Sequence, residues 1–337
     1  MGRVKRSAVV HPESFLGLDP TVLGTALGLI SAVCYTITNI YLCHVAVNQE
    51  LGWSIWISAI RTVPVALLTG SLTLRLYSRG EPAFGSPRLM AKLFVVALFV
   101  QLAGNVAFQW CLGAVGLALA VPLCLGTMIV AGALLGRLWL GEGITTRTAV
   151  SMLLLISSII VLSLGAKTAG SEMDIDTSTS LSRTWLVAVG VFAACLSGLA
   201  YATSGVVIRR VSNNGLPLTT VLMSISLTGT VILGTMGLVI LGPERIHSAG
   251  FDLLADSLTA GTFNAAAFLT LGKSLQLITV NRSNLLAASQ TAMAATAGVL
   301  IFAEPVTAPL VVGVVLTFLG MSLLKGSPRP AEGHAGT

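Results

Sequence analysis

The strongest constraint on this chain is a succession of apolar segments, set close together from Thr21 to Lys325. A helix needs about 20 apolar residues to cross the hydrocarbon of a bilayer, where each backbone N–H and C=O must be satisfied internally. Ten segments of that kind can be bracketed, at 21–47, 53–77, 89–112, 115–139, 146–166, 184–208, 217–241, 256–276, 280–302 and 306–325. The composition agrees: 54% of the 337 residues are hydrophobic, 9% are charged and the mean hydropathy is +0.89. Soluble domains carry roughly 25% charged residues. The sequence therefore predicts an all-α integral membrane protein, with the lipid bilayer as its first partner.

A second feature divides the ten segments into two sets. An apolar helix, a Gly or Ala, a Glu, a turn and another apolar helix occur in residues 126–164, around LWLGEGITT, and again in 288–324, around LIFAEPVTAP. Aligning Glu142 with Glu304 gives an offset of 162, which also places Gly28 on Gly190, Ala32 on Ala194 and Thr127 on Ser289. Each copy holds five spans, an odd number, so the second copy enters the membrane from the opposite side. Two inverted five-helix repeats follow, the arrangement that builds two related gates around a midplane site. The division is an N-terminal segment 1–20, a first repeat 21–166, a polar linker 167–183, a second repeat 184–325 and a tail 326–337. The stretch after Asp252 is diluted with polar residues, and it is the repeat that splits it into two helices.

Charge sets the orientation. With the N-terminus cytoplasmic, fourteen of the nineteen Lys and Arg residues fall on the inner side and three, Lys167, Arg183 and Arg245, on the outer; Arg61 and Lys273 lie within spans. That asymmetry predicts a multi-pass protein of the inner (cell) membrane with both termini cytoplasmic and the linker outside. The net charge of +6 is strung singly between apolar runs, so no nucleic-acid partner is expected. All five cysteines lie in apolar runs with no CxxC pair and no nearby His cluster, which points to neither a disulfide framework nor a metal site. No phosphate-cradling glycine loop and no HExxH occur, so no cofactor, catalytic residue or enzyme activity is expected.

Several phrases carry a family likeness. LGEGITTRTAVSMLLLISSIIVLSL and FAEPVTAPLVVGVVLTFLGMSLL, with SAIRTVPVALL and GNVAFQWCLGAVGLALAVPL in support, resemble the EamA-type members of the drug/metabolite transporter superfamily. The likeness runs from about residue 21 to 325 and implies ten helices in two five-helix halves and transport of a small organic molecule: an amino acid, another metabolite or an amphipathic compound. It also departs: where many members have a proline upstream of each Glu, this chain has Met128 and Gln290, and no Arg in the seventh span matches Arg61. A membrane-embedded enzyme acting on lipid, or a scaffold, is the alternative, but the first needs concentrated carboxylates, His or a nucleophile on one side.

Ionisable groups at membrane depth are costly and are functional candidates by default, so Arg61 stands first. It could bind an anionic substrate, tie helix-end carbonyls, or snorkel to the interface. Tyr35, Thr38, Asn39, Gln101, Asn105, Gln109, Tyr201, Asn264, Asn284, Ser289 and Gln290 form a polar set on the spans. Spacing by four puts Gln101, Asn105 and Gln109 on one helix face, which must meet protein or water. Cavity lining and interhelical hydrogen bonding both fit this set. Glu142 and Glu304, at helix exits, read as caps for the helices that follow them or as gate contacts. Lys273 reads as a snorkelling lysine. None of the thirteen acidic residues lies deep in a span, which leaves no buried carboxylate relay. For the topology, a cysteine introduced at 171–180 is expected to react with an impermeant reagent from outside intact cells; reaction only after permeabilisation would invert the orientation.

Overall fold

The computed structural model describes residues 19–46, 50–115, 117–169, 180–302 and 308–323. Among them the chain forms ten helical rods and no strand. These are α1 (Pro20–His44), α2 (Leu51–Ser78), α3 (Pro87–Val115), α4 (Leu117–Leu140), α5 (Thr146–Ala169), α6 (Ser180–Asn213), α7 (Leu218–Ser248), α8 (Gly250–Leu277), α9 (residues 280–302) and α10 (Ala308–Ser322). Among the described residues, α1, α2, α3, most of α4 and α6, and α7 are long and apolar enough on their own to cross a membrane. The protein is an all-α membrane protein.

Local chemistry sets the rod ends. Asp19 accepts from the Thr21 N–H at the start of α1 (2.7 Å), and Ser86 accepts from the Leu89 N–H at the start of α3 (3.4 Å), each followed by proline in the first turn. Regular helix in α7 ends at Leu241, because Gly242 has φ 76° and ψ 155°. The polar stretch after Asp252 divides into two helices. Ile278 is extended, and Thr279 then caps α9 by accepting from the Arg282 N–H (3.3 Å).

Three rods are not uniform. In α3 the turns of Val100–Val106 widen to π-helix, and in α7 those of Gly229–Leu233 do the same. In α9, Val280–Ala287 and Ser289–Phe302 are separate helices meeting at Ala288. The sequence pattern gave no sign of these departures.

Packing between the halves is antiparallel and close. Ser31 donates to the Ala267 C=O (2.9 Å) and Thr38 to the Ala260 C=O (3.2 Å), which fixes α1 on α8. Thr62 and Thr230 share a hydrogen bond (3.0 Å) between α2 and α7. Ser151 and Ser158 each donate at 2.6 Å to the Gly320 and Gly313 carbonyls, tying α5 to α10. The remaining main pairs between the first five rods and the last five are α3 with α6, α4 with α6, α1 with α9, α2 with α8, α4 with α9 and α3 with α7. This set is unchanged when each helix n of the first five is exchanged with n+5.

Two apolar clusters lie at different depths. One includes Leu93, Ala97, Val211, Leu216, Leu222 and Val280, near the face where α1 begins and α10 ends. The other includes Leu42, Val45, Trp53, Leu112 and Leu241, near the opposite face. The polar residues discussed below lie between them. Where α4 meets α6, a Cβ on Gly198 would stand 2.3 Å from the Cys124 carbonyl oxygen and 3.0 Å from the Met128 nitrogen. Backbone atoms cannot swing aside, so Gly198→Ala is expected to cost about 1–3 kcal/mol. Gly70→Ala, whose Cβ meets only Met223 at 4.0 Å, is expected to be neutral or to gain up to ~1 kcal/mol from helix propensity. Unfolding midpoints in detergent check the pair; equal losses would refute the packing argument.

Candidate functional site

Arg61 lies in α2, is 4% exposed, and is not drawn out to an interface. Its Nη2 donates to Asn105 Oδ1 and to the Tyr201 hydroxyl (3.2 Å). The Tyr201 hydroxyl itself donates to Asn105 Oδ1 (2.9 Å). Asn105 Nδ2 donates to Gln101 Oε1, and Gln101 Nε2 donates to the Ile225 C=O at 2.7 Å. One network thus links α2, α3, α6 and α7. The Arg61 Nε is buried without a partner, and no ion pair to Arg61 occurs among the described residues.

The π-helical turns make this arrangement fit. Gln101 and Asn105 both sit in the widened stretch of α3. A Cβ on Gly229, at the start of the widened stretch of α7, would stand 2.6 Å from the Gln101 amide. Glycine there lets the amide lie against the α7 backbone. The change of helical phase also redirects Gln109: it leaves the stripe, donates to the Leu42 C=O of α1 (3.2 Å), and has an unpartnered Oε1.

Beside the network is a central cavity with about 1120 Å³ of empty space, mouth included. Residues of every rod except α5 and α10 line it. Of the polar candidates, Tyr35, Thr38, Asn39, Arg61, Gln101, Asn105, Tyr201, Asn264, Asn284 and Gln290 are on its wall. Gln109 and Ser289 are not, and Ser289 donates instead to the Leu286 C=O (2.7 Å). Met128 and Gln290, at the two places where the family likeness departs, both line the cavity.

Glu142 serves a different end of the molecule. Its carboxylate does not meet the helix that follows; Thr145 occupies that position, accepting from the Thr148 N–H (3.2 Å). Gly141, at φ +68°, turns the chain, and Glu142 Oε1 accepts from the Val280 N–H (3.0 Å) while Oε2 accepts from the Asn281 N–H (3.4 Å). The carboxylate therefore caps α9, a helix of the other half. Arg209 Nε pairs with Glu142 Oε1 at 3.1 Å, and Arg209 Nη1 donates to the Leu275 C=O at 2.8 Å. Four helix ends, of α4, α6, α8 and α9, meet there. Glu304 lies outside the described residues, and Lys273 is exposed.

Residues 188–325 match the model of the EamA-like transporter family. A crystal structure titled only as that of a protein has the same fold over 89% of this chain and 96% of its own, with a TM-score of 0.64 and 14% identity. Searched against curated proteins, the chain finds no match. The family match and the apolar helices support a membrane transporter in general terms.

Proposed function

We propose that the protein is a secondary transporter that moves a small organic metabolite across the inner membrane, with no catalytic step and no cofactor. It works by alternating access of two inverted five-helix halves, 21–166 and 184–325, which together supply ten spans with cytoplasmic termini. The exchange-symmetric helix pairing supports two related ways of packing the halves against each other. The polar residues of both halves that line the central cavity are its binding site. The Glu142–Arg209 cluster is a contact that closes the face where α1 begins.

One observation carries this reading. An arginine at the centre of a membrane helix costs about 2.5–3.5 kcal/mol on insertion scales. The two bonds from Arg61 Nη2 go to the neutral side chains of Asn105 and Tyr201, which orient the guanidinium without balancing its charge. A purely structural role leaves that charge without a counter-charge among the described residues on the wall of a cavity, and its Nε unpaired. Binding of a negatively charged group accounts for both.

In proteoliposomes, the wild-type protein is expected to show counterflow with some members of a broad panel of labelled metabolites. Arg61→Ala is expected to insert normally and to lose about 10- to 100-fold in transport, the worth of charged hydrogen bonds of about 1.5–3 kcal/mol. Wild-type rates in that variant would remove Arg61 from the site. Turnover of a lipid without counterflow would replace transport by enzymatic activity.

A further inference from the structure

The charge balance of the cavity is specific enough to narrow the substrate. Among the described residues, Arg61 is the one charged side chain on its wall, and no Asp, Glu, Lys or His joins it. Three side-chain amides on the wall, Asn39, Asn264 and Gln290, make no hydrogen bond with any described residue, although each is 9% exposed or less. Much of the rest is apolar, with Phe108, Met128, Ile208, Phe268, Leu271 and Leu275.

From this we infer that the substrate is an organic monoanion with an apolar body and an uncharged hydrogen-bonding group, rather than a zwitterion, a dianion or a cation. The inference rests on the central cavity being the transport site. A carboxylate would meet the Arg61 guanidinium on the cavity wall, a charge-assisted bond to a cation that has no counter-charge among the described residues. Uncharged amide, carbonyl or hydroxyl groups would pair with Asn39, Asn264 or Gln290. The free ammonium of an α-amino acid would be desolvated with no carboxylate to receive it. A second negative charge would lack a second cation, since two donations from Arg61 Nη2 are already committed to Asn105 and Tyr201. A cation would face Arg61 directly.

A matched series on one apolar body tests this: N-acetylleucine (monoanion), N-acetylleucinamide (neutral), leucine (zwitterion), leucinamide (cation) and isobutylsuccinate (dianion). Binding is measured by calorimetry, at neutral pH, to the full-length protein in nanodiscs of phosphatidylethanolamine and phosphatidylglycerol. N-acetylleucine should bind at least about tenfold tighter than each of the others. Arg61→Gln should erase its advantage over N-acetylleucinamide. Asn264→Asp, which cancels the excess positive charge of the cavity, should move the leucine to N-acetylleucine affinity ratio toward leucine by about tenfold.

Absence of any monoanion advantage, including no binding by any member, overturns the assignment, as does an Asn264→Asp ratio that stays put. Counterflow keeps the two claims separate. Monoanion binding without movement refutes transport and leaves the charge class standing. Movement of leucine or isobutylsuccinate in preference does the reverse.

Discussion

The architecture depends on how one guanidinium is held away from water. Arg61 is fixed by neutral partners, Asn105 and Tyr201, and they in turn by Gln101 and the Ile225 carbonyl. A carboxylate partner would quench the charge and fill its donors. Amide and hydroxyl partners orient it and leave it positive. The two π-helical stretches fit this requirement, because the widened turns of α3 carry Gln101 and Asn105 and those of α7 begin at the glycine against which Gln101 lies. Widened turns of this kind are frequent at functional sites.

The Glu142–Arg209 cluster contrasts with that design. Here the charge is paired, and the carboxylate also sits at a helix N-terminus, worth about 0.3–1 kcal/mol when exposed and up to ~2 kcal/mol when partly buried. The arrangement joins the end of α4 to α6, α8 and α9, so it links the first half to three helices of the second. At the offset of 162, the place of Arg209 in the first half is held by Val47. At that offset the basic residue thus occurs in the second half of the chain only.

Much of this was legible in the sequence, for physical reasons. Hydrocarbon requires long apolar helices, so the segment limits at 53–77, 146–166 and 280–302 correspond closely to α2, α5 and α9. A lone arginine in such a helix is conspicuous by its cost, which singled out Arg61. The roles of Gln109 and Glu142 were not legible. Gln109 obeys the spacing of a regular helix, but the π-helical turns before it change the phase and turn it to Leu42. Glu142 stands just before a helix, yet a left-handed glycine aims it at one 138 residues away in the chain, at Val280. Ser289 stands next to Gln290 but bonds its own helix turn. Hydrophobic periodicity reports neither helix phase after a bulge nor partners distant in sequence.

The central claim is that one cavity is reached alternately from both sides of the membrane. Ser204 lines that cavity, is 5% exposed, and is nearly isosteric with cysteine. In a background where the five native cysteines are replaced, Ser204→Cys can be probed with an impermeant thiol reagent added separately to each face of proteoliposomes. The account predicts modification from both faces, slowed from both by a transported substrate. Modification from one face alone, under every condition in which transport proceeds, would contradict it.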